Sequence, residues 1–541
     1  MANILSWIYR ICILSFGWRR LLIMLVAGAI AAFSMPPFLF LPMLFVTMPL
    51  WVWCLDGAER SSGWGLVFGP SFWIGFCFGL GYFVVALHWV GSAFLVDGGA
   101  LVFAIPFAVL ALASVLAVFW GLASAGAHFF WSNSFMRIIS LSIFLALAEF
   151  LRGTLFTGFP FDVLGYALTA NVTMMQLASV VGIYGLTILA AILGFLPALV
   201  WPQDERSLSA RLLPLFMIFA LLAAQLGFGQ YRLNEIETSP RGDMRVRLVQ
   251  PGVLQSEKWR PESAQIILER LLSMSAARTN PDDTGLNDIT HLIWPEAALP
   301  FFLSDFPEAL VRIADMLPDG TTLITGAPRR QLDTNLQERE YNSILAIDSS
   351  GETLASYDKT HLVPFGEYLP FEPVLNSIGI NQFVTAFKGW SAGESRNLMQ
   401  TPTTPPFLPL ICYEAIFSGA LFSKSPDGAA QKAQFILNLT NDAWFDNSIG
   451  PDQSFQHARL RAVEQGLPMI RVANTGKSAI IDPLGRISSV MEPGEIGIAD
   501  ADIPNRIEPT IFSRYLNLPF FAALFLGFIL IVLTRLRPLR P

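Results

Sequence analysis

LPLICYEAIF, residues 408–417, reads as an apolar strand with a cysteine at its end. A short apolar run bounded by turn residues suits a strand buried on both faces. Downstream, AQFILNLTND (433–442), PMIRVANTG (468–476) and SAIIDPLGRI (478–487) read as further strands. HARLRAVEQG (457–466) lies between them as a helix closed by glycine. Upstream, MRVRLVQ (244–250), HLIWPEA (291–297) and TTLITGAP (321–328) read as strands, and YNSILAIDSSGETLASYDK (341–359) as a hairpin through Ser-Ser-Gly. ESAQIILERLLSMSAAR (262–278) and PEALVRIADML (307–317) have helical spacing. The alternation predicts an α/β sandwich over 230–517.

The rest of the chain is different in kind. The 541 residues are 53% hydrophobic and 14% charged, too apolar for an ordinary soluble protein. Only 15 Asp, Glu, Lys or Arg residues fall in 1–229, against 62 in 230–541, and the first lysine is Lys258. A bilayer core takes about 20 apolar residues per helix. Eight spans are predicted, at 20–35, 38–55, 64–88, 100–125, 136–152, 171–200, 211–229 and 518–534. The first has signal-peptide features, with Arg10, Arg19 and Arg20 before it and AIAAFS after it, but further spans follow at once.

Cations fix the orientation. One set of loops carries Arg10, Arg19, Arg20, Arg60, Arg137, Arg206, Arg211, Arg535, Arg537 and Arg540, whereas the short alternate loops carry essentially only Arg152. The first set is expected in the cytoplasm, with both termini. The expected division is a transmembrane domain at 1–229, an outer domain at 230–517, and an eighth span with a short cytoplasmic tail at 518–541. Glu149 and Arg152, near the outer end of the fifth span, are functional candidates or a mutual ion pair.

Three of the four cysteines, Cys12, Cys54 and Cys77, lie in the apolar half, and Cys412 is alone in the outer domain. A thiol without a disulfide partner in an oxidising compartment points to reactivity. No zinc-ligand spacing, Walker loop or GxGxxG appears, and no basic patch suits nucleic acid; neither metal nor cofactor is expected. Glu296 (IWPEAALP) follows an apolar strand, Lys359 (YDKTHLVPFGEYLP) closes a strand, and Cys412 follows LPLI. Converging, they supply a base, an electrostatic stabiliser and a nucleophile, with the Lys359 ammonium favouring the thiolate. Taken singly, Cys412 also fits an inert core residue, Glu296 a helix cap and Lys359 a solvated turn.

The words IWPEAALP, YDKTHLVPFGEYLP, ICYEAIF, NLTNDAWF and RVANTG, in this order, resemble the nitrilase superfamily with its Glu-Lys-Cys triad. HLVPFGEYLP and the membrane-half stretch EFLRGTLFTGFPFDVLGYA (149–167) narrow the resemblance to the bacterial apolipoprotein N-acyltransferases. That family's architecture is eight membrane helices with an α/β/β/α nitrilase-like domain between the seventh and eighth. The resemblance implies Glu296, Lys359 and Cys412 as catalytic residues. It implies Glu367 as a second essential glutamate, Tyr413 and Glu414 as residues shaping the nucleophile's surroundings, and Trp259 (QSEKW) as functionally important. Asn342, Asn441, Asp442 and Asn474 read as hydrogen-bonding scaffold. NQFVTAFKGWSAGES (381–395) reads as a mobile loop whose Phe383, Phe387 and Trp390 form apolar tips that admit acyl chains.

The implied reaction is ping-pong. Cys412 takes an acyl chain from a phospholipid, expected to be phosphatidylethanolamine. The thioester then acylates the α-amino group of a diacylglyceryl-cysteine on an apolipoprotein. Membrane lipid is the other expected partner, the expected state a monomer, and the expected location the bacterial inner membrane with the catalytic domain periplasmic. The rival readings are a tethered amidase acting on small C–N substrates and a transporter or scaffold that binds through the domain.

Overall fold

The computed structural model describes residues 2–59, 65–97, 99–201, 207–278, 284–333, 336–370, 389–422, 432–445 and 448–536. Two compact units emerge, Met1–Ile236 with Thr510–Pro541, and Glu237–Pro509.

The first unit is helical. Among the described residues, five helices are long and apolar enough to cross a membrane: Gly17–Ser34, Val102–Phe129, Ala178–Leu199, Arg211–Glu235 and Leu518–Leu536. Pro70–Ala86 and His88–Val96 make a sixth if their 51° bend lies within one span. Two of the eight expected spans fall outside this set for physical reasons. Pro42–Asp56 has 15 residues, about 22 Å of helix against a core of about 30 Å. Met136–Thr154 carries Arg137, Glu149 and Arg152. The span read over 171–200 is interrupted, since Gly182 has φ 64° and ψ −177° inside Ala178–Phe195. A Cβ there would come within 2.2 Å of the Phe512 ring, so only glycine fits. The helix Ala2–Leu14 was not expected.

Glu149 and Arg152 are mutual partners. Arg152 Nε donates to Glu149 Oε1 at 2.9 Å and Nη2 to Oε2 at 2.8 Å, both side chains fully buried. Trp120 Nε1 and the Leu164 amide also donate to Glu149. Arg152 Nη1 donates to the carbonyls of Phe159 and Phe161. A buried pair so fully satisfied fixes the turn after its helix.

The second unit is a sandwich of two sheets. The first has the order β11-β1-β2-β3-β4-β5, with β1 Pro240–Gln250, β2 His291–Ile293, β3 Thr322–Leu332, β4 Glu338–Ile347, β5 Thr353–Asp358 and β11 Gly497–Pro504. The second has the order β10-β9-β8-β7-β6, with β6 Leu408–Ile411, β7 Ile436–Thr440, β8 Met469–Ala473, β9 Ser478–Ile481 and β10 Ile487–Met491. β1, β2 and β3 run parallel, as do β6, β7 and β8; antiparallel strands flank the first set on both sides and continue the second beyond β8, with β6 at the edge.

Three apolar layers hold these elements. Val246, Ile293, Ile344, Phe407, Leu437 and Ile470 fill the space between the sheets. Helices Ser263–Ala276 and Pro307–Met316 cover the outer face of the first sheet through Leu271, Ile313 and Trp294. Helix Gly450–Gln465 covers the second through Phe455, Ala458 and Ala462. It ends at Gly466 in the left-handed region, at φ 70°. The architecture is the expected α/β/β/α sandwich. Several readings shift locally: HLIWPEA is strand only over His291–Ile293, and SAIIDPLGRI is strand only over Ser478–Ile481 before a turn into β10. LPLICYEAIF is strand only to Ile411, after which Cys412–Ile416 forms a 3-10 turn. β11 was missed, because GIADADIP lacks the apolar density of the other strands.

The segment after β2 crosses β3 at very short range. The Ala298 amide donates to Gly326 O at 2.8 Å, and the Gly326 amide to Pro295 O at 3.1 Å. A Cβ on Gly326 would lie 2.4 Å from Ala297 N and 2.6 Å from Glu296 Cα. Gly326→Ala is therefore expected to cost about 1–3 kcal/mol and to lower the domain's thermal midpoint by several degrees. A wild-type midpoint for this variant would show that the crossing yields freely.

Candidate active site

The parallel strands of both sheets deliver their C-terminal ends to one place, where an open α/β sheet exposes functional groups. Glu296 follows β2, Lys359 follows β5, Cys412 follows β6, and Asn441 and Asp442 follow β7. The hairpin register sets Lys359 beside Asn342, whose carbonyl accepts from the Lys359 amide at 2.9 Å.

Lys359 is buried between two carboxylates. Its Nζ lies 2.9 Å from Glu367 Oε1 and 3.5 Å from Glu296 Oε1. The Asn342 side-chain amide donates to both, at 2.8 Å to Glu296 and 3.2 Å to Glu367. Glu367 Oε2 also accepts from the Val363 amide at 2.8 Å. Burial works against the Lys359 ammonium, but Glu367, Glu296 and Cys412 outweigh it and hold its pKa above the ordinary lysine value. Burial, opposed by Lys359 and reinforced by Glu367, raises the Glu296 pKa.

Cys412 stands partly exposed on a strained turn, with φ 47°. A non-glycine residue held there costs about 1–3 kcal/mol, and such a turn aims a nucleophile outward from the strand end. Burial and the nearby Glu296 push its thiol up to about 12, although Lys359 and a hydrogen bond with Thr440 pull the other way. Lys359 thus favours the thiolate as expected, but burial and Glu296 outweigh it. The protonated thiol is therefore the favoured form.

Glu414 holds this turn. Fully buried, it accepts from the Ile411 amide at 2.8 Å, the Thr360 amide at 2.9 Å, the His361 amide at 3.1 Å and the hydroxyls of Tyr357 and Thr360. It also pairs with Arg396 at 3.3 Å. The strand end bearing Cys412 and the segment after Lys359 are thus tied to one carboxylate. Tyr413 is buried, its ring edge-on to Phe417.

Trp390, expected as an exposed tip, is buried, with its amide donating to Glu367 O at 2.9 Å and its ring 6.4 Å from that of Trp259. Phe383 and Phe387, with the rest of 381–388, lie outside the described residues. Asn441 and Asn474 are scaffold. Asn474 donates to Val253 O and Asn441 Oδ1, and Asn441 donates to Gln255. Asp442 pairs with Arg471 at 3.1 Å. Asn342 does more than was expected, since it bridges both carboxylates. Arg396 and Lys258 were missed, because a lone cation in an irregular segment carries no pattern.

Residues 245–512 match the carbon-nitrogen hydrolase family, and residues 27–196 match the apolipoprotein N-acyltransferase N-terminal domain. The chain is 41% identical over 542 residues to the apolipoprotein N-acyltransferase of Rhodopseudomonas palustris, covering 99% of each chain. It belongs to the apolipoprotein N-acyltransferase family. The Bradyrhizobium diazoefficiens apolipoprotein N-acyltransferase is 40% identical, over 98% of this chain and 97% of its own. Among solved structures, an amidase from Nesterenkonia sp. aligns at 21% identity and TM-score 0.34, over 49% of this chain and 92% of its own. Within the apolipoprotein N-acyltransferase family, the N-terminal domain match falls in the apolar unit and the hydrolase match spans the sandwich.

The Glu414 carboxyl is held below its usual value. Burial opposes ionisation, but Arg396, the Ile411 amide, Lys359 and Tyr357 outweigh it. A group whose folded pKa is lowered adds stability above its unfolded value, near 4.5, and loses that contribution as pH falls through the folded value. Glu414→Gln is expected to cost about 3–5 kcal/mol at neutral pH, the range for breaking a buried ion pair. It should also flatten the acid-side fall in stability. Thermal midpoints from pH 3 to 7 that track wild type throughout would refute this.

Proposed function

We propose that this chain moves an acyl chain from a phospholipid, through a thioester on Cys412, to the α-amino group of an apolipoprotein's N-terminal diacylglyceryl-cysteine. The observation that carries the reading is a buried Glu296–Lys359–Glu367 cluster near a partly exposed cysteine on a strained turn, in a member of this family.

The first half-reaction starts with a neutral thiol. The Glu296 carboxylate takes the Cys412 proton as the sulfur attacks the ester carbonyl. The Lys359 ammonium, with the Tyr413 amide, stabilises the tetrahedral oxyanion. Collapse breaks the ester C–O bond, the departing alkoxide takes the proton from Glu296, and lysophospholipid leaves. In the second half-reaction the neutral amine attacks the thioester and Glu296 accepts its proton. The C–S bond breaks, and Glu296 returns the proton to the sulfur. Glu367 and Glu414 position Lys359 and the nucleophile turn, and Trp259 and Trp390 wall the approach to Glu367. Metal and cofactor have no part in these steps.

The same reading takes phosphatidylethanolamine as donor and a monomer as the working state. It adopts eight spans, counting Pro42–Asp56 and Met136–Thr154, with both termini in the cytoplasm and residues 230–517 periplasmic. The arginine distribution supports this orientation. Two lipid-anchored substrates suit an enzyme in the same bilayer.

Full-length protein incubated with defined phosphatidylethanolamine should gain one acyl mass, and Cys412→Ala should gain none. Glu296→Gln and Lys359→Ala should lower adduct formation at least 100-fold, in the range for loss of a general base or an oxyanion stabiliser. An acyl adduct on Cys412→Ala would refute the nucleophile. Full N-acylation of a lipopeptide by either other variant would remove that residue from the mechanism. A reporter fused near residue 300 should be active outside the cytoplasm, and cytoplasmic activity would overturn the topology.

A further inference from the structure

Lys258 ends the short helix Gln255–Lys258 and is 2% exposed. Its Nζ donates to the backbone carbonyl of Glu296 at 3.1 Å. The segment leading into it is anchored. Val253 is clasped through its amide and carbonyl by Asn474, and Gln255 accepts from Asn441. The segment that carries the ammonium to the Glu296 peptide is therefore fixed on its N-terminal side.

The charges around Glu296 explain why a second cation belongs there. The ionisable groups that bear on it are Lys359, Glu367, Lys258 and the Cys412 thiol. Without Lys258, two buried carboxylates would share one ammonium, a net negative cluster in a poorly solvated site. Buried carboxylates in that condition keep a proton, as like charges raise one pKa. A protonated Glu296 cannot take the Cys412 proton. With Lys258 charged, a second ammonium offsets that negative charge, and Glu296 can ionise.

We infer that Lys258 is a positioning residue that fixes the Glu296 peptide and, by its charge, keeps the Glu296 carboxylate ionised and ready as the base. This rests on the proposed role of Glu296. Burial lowers the Lys258 pKa to about 8, opposed by the attraction of Glu296. The ammonium is thus present through neutral pH and on the acid side, where the ionisation of Glu296 is decided.

The test follows acyl-adduct formation on full-length protein with defined phosphatidylethanolamine, by quenched intact-mass measurement from pH 5 to 9. The acid limb of that profile reports the free enzyme's base. Lys258→Met should move the limb up by about one pH unit, near the lower end of what a neighbouring charge does to a carboxylate. Adduct formation then falls about tenfold on the acid side and recovers above the new limb. Lys258→Gln, which can still donate to the carbonyl but carries no charge, should show the same shift and serves if the methionine variant fails to fold. Lys258→Arg should leave the limb where wild type has it. A uniform loss at every pH, or an unmoved limb in folded Lys258→Gln, would overturn the inference. Wild-type adduct formation by Glu296→Gln would instead overturn the role of Glu296 on which it depends.

Discussion

A buried ammonium is costly, and the site is organised around making one tolerable. Taking Lys359 out of water costs several kcal/mol unless paired charges and hydrogen bonds replace the lost solvent. Glu367 at 2.9 Å and Glu296 at 3.5 Å supply the charge. The two carboxylates are not equivalent. Glu367 also accepts from the Val363 amide, and the Trp390 amide is fixed to its carbonyl. Glu296 keeps the longer contact with Lys359 and a single side-chain amide from Asn342. Pairs of titratable groups in unequal surroundings divide into anchor and proton carrier. In the proposed mechanism Glu367 is the anchor and Glu296 the carrier.

The second constraint is mechanical. Cys412 occupies a backbone region that costs energy, and such strain persists only where the surroundings over-determine it. Glu414 provides that determination, because one carboxylate gathers amides from Ile411, Thr360 and His361. The nucleophile turn and the chain leaving Lys359 cannot then drift independently. Gly326 does the corresponding work for Glu296, by letting the segment after β2 run against β3 where any side chain would collide. The elements that form the sandwich therefore also set the relative positions of the reacting groups.

Much of this was legible in the sequence. The strand-like runs before Glu296, Lys359 and Cys412 made them strand-end residues, and the motif order implied that they meet. What escaped has physical causes. The 3-10 turn at Cys412 hides within an apolar word, because Tyr413, Ala415 and Ile416 are buried in the turn as they would be in a strand. β11 pairs with β1 through backbone bonds that need no apolar pattern. The Glu149–Arg152 pair in Met136–Thr154 was legible as one of two readings, but its further partners, the Trp120 indole and loop backbone, were not. The bent and broken helices depend on local backbone geometry, such as that of Gly182, which composition does not reveal. Lys258 and Arg396 act through three-dimensional neighbours and leave no periodic trace.

The resting state of the thiol connects these points. Burial and Glu296 push the Cys412 thiol up to about 12, so the protonated form is favoured. That would be a poor nucleophile if Lys359 alone had to activate it. Low thiolate character also slows its oxidation, which follows thiolate character and exposure. In the proposed mechanism, reactivity appears only when an ionised Glu296 removes the proton against a bound ester, and the charge that develops falls beside an ammonium already in place. The same carboxylate is needed again for the amine, which must lose a proton as it attacks. One base serving both half-reactions, restored at the end of each, is what a ping-pong transfer through a single thioester requires. The charge balance around Glu296 is therefore the condition on which both acyl transfers rest.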